Sequence, residues 1–232
     1  MIELEQTYFP MWRLGYRCNP FRTLTREEWR ELAVLPEGLH TLIHSLPPLT
    51  QILGDQGRGK TSALLALERE INHRGWPVAY EYLPPGTKRY TQDPSDLQVF
   101  LLDEAQRLSR RSLKKLLKMV SANPHTKFRL IISTHADLTG LTLAHGISIQ
   151  TLTLSEPSPE FIQSLIELRL CFFESPGHQG VRLAPNAESI IRSYCGSDLR
   201  LLEKLLYEVY QTWNSENSIT ATHVRGLLED GG

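Results

Sequence analysis

Gly54-Asp55-Gln56-Gly57-Arg58-Gly59-Lys60-Thr61 is a G-x-x-x-x-G-K-T stretch, and its reading decides the fold. For main-chain N–H groups to curl around a polyphosphate the chain must turn tightly, and residues without a side chain do so most freely. Gly54, Gly57 and Gly59 supply that freedom. At this spacing Lys60 reaches the β- and γ-phosphates, Thr61 offers its hydroxyl to Mg²⁺, and the next helix adds partial positive charge at its N-terminus. Asp55, Gln56, Arg58 and Ser62 complete the expected nucleotide contacts. The flanks agree with this. Leu49 to Leu53 reads as a short apolar strand, and residues 61–72 read as a helix carried by Leu64, Leu65, Leu67 and Ile71. A nucleoside triphosphate site between a strand and a helix is therefore expected.

The remainder of the chain sets bounds on that site. A length of 232 residues suits one large domain, or a core with a smaller appendage. With 41% apolar and 22% charged residues the composition is that of a globular protein, which argues against a disordered or fibrous chain. Cys18, Cys171 and Cys195 are odd in number, far apart and outside any metal-ligand spacing, so a reducing compartment is expected. Met1-Ile2-Glu3-Leu4-Glu5 is acidic where a signal peptide is basic, and no apolar run approaches membrane-spanning length. A cytoplasmic location without a membrane partner follows as the expectation.

Before the core, Tyr8, Phe9, Trp12 and Tyr16 with Pro10 and Pro20 read as an aromatic arm that covers this core or reaches a neighbouring subunit. Thr25-Arg26-Glu27-Glu28 has the form of a capping box opening a helix to about Leu35. After the phosphate-loop helix, Val78 to Leu83 reads as a second strand. The stretch from Pro84 to Asp96 contains Pro84, Pro85, Gly86 and Pro94, so the usual crossover helix is abbreviated or irregular. Gln98 to Leu102 is a third strand that delivers Asp103-Glu104 at its carboxyl end, the pattern called Walker B. In a parallel sheet that end faces the phosphate loop, where Asp103 serves the metal side and Glu104 the attacking water. Phe128 to Ile132 is a fourth strand ending in Ser133-Thr134-His135, and Ser133 and Thr134 are both candidates to touch the γ-phosphate or the water. Residues 136–145 are helix-sized, and Ile147 to Leu154 reads as a fifth strand.

Charge is distributed unevenly. Eight basic and no acidic residues lie between Ala105 and Arg129, leaving 17 basic against 26 acidic elsewhere. The spacing predicts a helix from Arg107 to Val120, with Leu113, Leu116, Leu117 and Val120 facing the core. Arg107, Arg110, Arg111, Lys114, Lys115 and Lys118 form a second stripe without an i,i+4 acidic partner. Such a face suits the phosphate backbone of double-stranded DNA, read without sequence preference, or else pairs with acids elsewhere in the fold.

From Glu156 the pattern turns helical, with helices expected over 159–173, 186–194, 197–213 and 220–228, and Arg200 near the start of the third. The expected divisions are residues 1–48 as arm and helix, 49–155 as nucleotide-binding core and 156–232 as helical lid.

The order of these parts resembles an AAA+ P-loop ATPase. Asn19-Pro20-Phe21, Leu101-Leu102-Asp103-Glu104-Ala105-Gln106 and Ser133-Thr134-His135 resemble most the group of the transposition ATPases TniB and TnsC and the secretion ATPase ExeA. The resemblance implies an α/β fold, a three-layer P-loop NTPase core with a mainly parallel five-stranded sheet followed by a small helical AAA+ lid. It implies ATP rather than GTP as the nucleotide, with Mg²⁺, and Glu104 as catalytic base or water-orienting group. Ser133 or Thr134 becomes sensor 1 and Arg200 sensor 2. It further implies a ring or filament of identical subunits on DNA, with a transposase or target-selection protein as partner. Such families take an arginine in trans, yet no Lys or Arg lies between Ser133 and Leu154, which leaves Arg89 and Arg169 as candidates. Two other readings stay open: an ExeA-like protein-interaction switch without DNA, and a scaffold with little turnover.

Overall fold

The computed structural model describes residues 10–121 and 128–230. Five strands, β1 (Leu49–Leu53), β2 (Val78–Tyr82), β3 (Val99–Asp103), β4 (Arg129–Thr134) and β5 (Gln150–Thr153), form one sheet in the order β2-β3-β4-β1-β5. Every pairing is parallel, so the sheet is wholly and not merely mainly parallel. The chain leaves β1 through helix α3 (Lys60–His73), reaches the far edge at β2, and works back until β4 lies between β3 and β1. This brings the carboxyl ends of β1, β4 and β3 side by side, the usual position of a ligand site in an open parallel sheet.

Helices cover both faces, and the strands read accordingly as near-continuous apolar runs. Val99, Leu101 and Ile131 pack into one core cluster with Ala63 to Leu67 and Ile71 of α3 and with Leu39, Leu42 and Ile43 of α2 (Glu37–His44). Phe100, Leu102, Leu130 and Ile132 point the other way, onto Leu113, Leu116, Leu117 and Val120 of α4 (Arg110–Ser121). The result is the expected three-layer α/β core.

Two connections depart from the regular pattern. Residues between β2 and β3 contain no helix; Glu81 holds them instead, its carboxylate accepting from Thr91 N (2.6 Å), Thr91 Oγ1 (3.0 Å) and Gln92 N (3.0 Å). Between β4 and β5 stands only the short α5 (Thr139–Leu143), and β5 itself is shorter than its sequence suggested. Here buried Gln51 is the organiser. Its amide donates one N–H to Thr151 Oγ1 (2.7 Å) and shares the other between Asp137 Oδ1 (2.7 Å) and Thr139 Oγ1 (3.1 Å), and its carbonyl accepts from Leu138 N (3.0 Å).

The chain divides into two units, one of residues 26–156 and one joining the chain before Arg26 to the chain after Glu156. The first boundary, between Thr25 and Arg26, falls within the N-terminal segment. Helix α1 (Arg26–Leu32) belongs to the core unit, because Arg30 makes a paired contact with buried Glu68 of α3 at 2.7 Å to each carboxylate oxygen. Pattern reading extended α1 to Leu35 and passed over α2, which lies in the same unit.

The second unit holds α6 (Pro159–Phe173), α7 (Pro185–Cys195), α8 (Leu199–Thr212) and α9 (Ala221–Asp230), close to the expected helices. Its first helix is capped by Ser158, which accepts from Phe161 N, and α8 by Asp198, which accepts from Arg200 N and Leu201 N. The N-terminal segment is built into it: Tyr16 stacks edge-on against Tyr210 at 5.8 Å, and Asn19 Nδ2 donates to Tyr207 O (3.0 Å). Of the expected aromatic arm, Tyr16 is thus core of this unit, Trp12 is exposed, and Tyr8 and Phe9 lie outside the described residues. Among the described residues no helix is long and apolar enough to cross a membrane.

Candidate functional site

The loop between β1 and α3 turns where its glycines are. Gly57 (φ 82°) and Gly59 (φ 80°) are left-handed, a conformation that costs other residues free energy. Gly59 stands at the N-cap of α3 and offers no side chain to the helix's first N–H groups. Among the described residues the N–H groups of Gln56, Gly57 and Gly59 have no protein acceptor. Lys60 is buried, and its ammonium donates back to Gly54 O (2.7 Å) and Asp55 O (2.8 Å). Arg58 reaches Glu156 at 3.3 Å while its Nη1 has no partner. A positive pocket of this kind, donors without acceptors beside a helix N-terminus, fits a polyphosphate. The Ser62 hydroxyl accepts from the Trp29 indole (3.1 Å) and keeps its own proton to donate. A cavity of about 530 Å³ adjoins the loop, lined among others by Asp55, Arg58, His135, Asp137 and Glu156.

Strand parity brings the acid to the loop. Asp103 continues the alternation of Val99 and Leu101 and so points to the face on which α3 begins. Its fully buried carboxylate is held by three hydroxyls. Thr61 Oγ1 donates to Oδ2 (2.7 Å), Tyr80 OH donates to the same oxygen (3.0 Å), and Ser133 Oγ donates to Oδ1. Burial, and after it Asp103, raises the Tyr80 phenol far above its ordinary range, so that it stays a donor. A carboxylate and a threonine hydroxyl in mutual contact at the loop are a hard-oxygen donor pair, which fits Mg²⁺. The same parity separates the two candidates on β4. Ser133 lies on the Asp103 face and also accepts from Glu104 N (3.1 Å), whereas Thr134 turns away and exchanges hydrogen bonds with Ala136.

Glu104 is the one non-glycine residue with positive φ among the described residues (φ 63°, ψ 40°). Strain at such a position persists only when surroundings enforce it, and it concentrates at functional sites. Its Oε2 receives Gln106 Nε2 (2.7 Å) and Arg107 Nη2 (2.9 Å), and Oε1 lies 3.5 Å from His135 Nε2. Tyr80 had no motif to mark it in sequence, and Gln106 and His135 stood at the ends of quoted motifs without an assigned role; the folded register assembles them here.

The basic helix requires one correction. Arg107 is not on it, because Ala105–Arg107 forms a separate 3-10 turn, Leu108 is extended, and Ser109 then caps α4 through Ser112 N (3.1 Å). Arg107 turns instead to Glu104, the Tyr82 hydroxyl (3.0 Å) and the Leu83 carbonyl. Arg110, Arg111, Lys114, Lys115 and Lys118 are exposed on α4 and make no ion pair among the described residues. Lys115 lies over the Tyr90 ring (5.9 Å). Of the two candidate trans arginines, Arg89 is exposed, while Arg169 is buried and donates to Pro20 O, Arg22 O and Glu203, which commits it to its own unit. Arg200 is exposed at the first turn of α8.

No protein-family model matches the chain, and no curated protein matches it in sequence. The likeness found is to solved structures. The RuvB Holliday junction branch migration motor of Thermotoga maritima superposes with a TM-score of 0.56 at 16% identity, over 88% of this chain and 68% of that one. DnaA of Aquifex aeolicus with bound AMPPCP gives 0.52 at 17%, over 75% and 59%. The ORC1 protein of Aeropyrum pernix in complex with DNA gives 0.51 at 18%, over 96% and 69%. All three are AAA+ P-loop ATPases. The chain shares their α/β P-loop NTPase fold. At these identities the AAA+ likeness is one of architecture, and function has to be argued from the site.

Proposed function

We propose that this chain binds ATP with Mg²⁺, hydrolyses it, and associates with double-stranded DNA as an oligomer that regulates a DNA transaction, transposition foremost. The observation that carries the nucleotide part is the 2.7 Å contact of Thr61 with Asp103 beside the buried Lys60. Thr61 and Asp103 would hold Mg²⁺, which supplies charge neutralisation for the phosphates when bound. The loop N–H groups and Lys60 bind and orient the triphosphate, and Glu104 positions the attacking water. Ser133, hydrogen-bonded to Asp103 and to Glu104 N, couples the two carboxylates. Arg200 keeps its expected role toward the γ-phosphate within this proposal, and Arg200→Ala tests it.

DNA enters through the five exposed cations of α4, which make no ion pair among the described residues. Among the similar structures ORC1 is solved in complex with DNA and DnaA with single-stranded DNA, which supports DNA as the class of partner. Repeated along an oligomer, a few phosphate contacts per subunit add to strong binding. The likeness to TniB and TnsC in the short motifs supports transposition and a transposase or target-selection partner.

A second reading, a nucleotide switch with little turnover of its own, is favoured by Lys60 tied to loop carbonyls and Glu104 tied to Arg107. ATP hydrolysis measured with and without duplex DNA, beside a Glu104→Gln control, separates the two. DNA-stimulated turnover that the control abolishes supports the first; binding without turnover supports the second; turnover indifferent to DNA supports an ExeA-like switch.

A further inference from the structure

The chain leaves the core unit alongside the phosphate loop. Beyond β5, Leu154 N donates to Leu53 O (2.8 Å), and Leu154 Cβ stands 3.4 Å from where a Cβ on Gly54 would be. Two residues on, Glu156 is paired with Arg58 at 3.3 Å and is the last residue of the unit. Arg58 itself lies between Gly57 and Gly59, in the part of the loop whose N–H groups lack a protein acceptor among the described residues.

Three observations show that the hold of Arg58 on Glu156 is weak. The contact is made by Nη2 alone, at 3.3 Å, which is long for a charge-assisted hydrogen bond. The Glu156 side chain is 76% exposed, so water competes for its carboxylate, and pairs of this kind contribute little. Nη1 is buried without an acceptor, and among the described residues neither Asp55 nor Asp137, which line the same cavity, accepts from it. An unmade hydrogen bond on a buried charged donor costs more than such an exposed pair returns. A phosphate group offers oxygens to both guanidinium nitrogens at once, in the fork geometry that arginine favours. The balance favours transfer of Arg58 to a bound nucleotide.

We propose that Arg58 is an exchange residue: it pairs with Glu156 in the nucleotide-free chain and turns to the phosphates of a bound nucleoside triphosphate, giving up Glu156 where the chain passes out of the core unit. The proposal rests on the nucleotide-binding reading and needs no hydrolysis. It makes Glu156 a competitor of the nucleotide for one guanidinium, so that the ion pair lowers affinity and occupancy of the loop loosens residues 155–156.

Binding of a fluorescent ATP analogue with Mg²⁺ to the full chain tests this as a double-mutant cycle. Arg58→Ala is expected to weaken binding by about tenfold or more, with Arg58→Lys, which keeps the charge without the fork, in between. Glu156→Gln is expected to strengthen binding by about two- to fivefold and to lose most of that gain in the Arg58→Ala background. An equal gain in both backgrounds shows Glu156 acting by repulsion of the phosphates and overturns the exchange. No gain in Glu156→Gln, or wild-type affinity in Arg58→Ala, overturns it as well. Amide hydrogen exchange at Ser155 and Glu156 is expected to quicken by about threefold or more on saturation of the wild-type chain, and to stay unmoved in Glu156→Gln. Slower exchange in the saturated wild-type chain overturns the release. A wild-type chain that binds no analogue sinks the nucleotide reading and this proposal together, whereas each result above in a chain that binds it sinks the exchange alone.

Discussion

Arg107 and Glu104 are joined by a 2.9 Å ion pair across a single 3-10 turn, and this contact separates Arg107 from the five cations of α4. A cation already neutralised within the protein releases few counterions when DNA arrives. Lys114→Ala is therefore expected to reduce the slope of log affinity against log salt by about one, and Arg107→Ala to leave it nearly unchanged. Duplex binding measured over a salt series decides; equal effects of the two substitutions would return Arg107 to the DNA face. The double reversal Lys114→Glu/Lys115→Glu is expected to abolish binding in a protein that remains folded.

Tyr80 donates to a carboxylate that has no solvent exposure. Tyr80→Phe removes the donor while keeping the ring, so the cost is that of an unmade hydrogen bond to a buried acceptor. Because Thr61 and Ser133 still hold Asp103, the loss is expected near the lower end of about 1–3 kcal/mol. Urea unfolding should show a lower midpoint with an unchanged slope.

The loop, the Asp103-Glu104 strand end and the α4 core stripe were legible in the sequence because each depends on local spacing. Residues that meet through sheet register were not. Tyr80 reaches Asp103 only because β2 pairs with β3, and His135 meets Lys60 and Glu104 only because β4 lies between β1 and β3. The basic stripe misled at its first member because helical spacing was extended through Leu108, where the backbone is extended. The N-terminal segment gave no periodic signal at all. Its membership in the helical unit rests on packing specific to Tyr16 and Asn19.

Gln51 shows how much one buried amide can organise. Four hydrogen bonds tie it to Asp137, Leu138, Thr139 and Thr151, and together they fix the segment that follows His135. Gln51→Leu keeps the volume and leaves those partners to find new ones, at an expected cost of about 2–4 kcal/mol. The loss should appear as a lower melting temperature. Faster amide exchange at Leu138 should accompany it, and a variant as stable as wild type would show that the network contributes little.

In the helical unit, burial pushes the Tyr16 phenol up from 10.0 to about 12, only partly offset by Arg182 beside it, and pushes the Cys195 thiol up from 9.0 to about 11. Both groups keep their protons in the folded chain over a range where the unfolded chain has lost them. Stability is therefore full below the unfolded values and falls as pH rises, from about 9 for Cys195 and from about 10 to 12 for Tyr16. Each retained proton steepens the fall by about 1.4 kcal/mol per pH unit. Tyr16→Phe removes one such proton, so its stability should decline less steeply between pH 10 and 12, even though it starts lower for want of the 2.6 Å bond to Val181 O. Denaturant unfolding at several alkaline pH values measures both slopes, and parallel slopes would mean that Tyr16 ionises as readily in the folded chain as in the unfolded one.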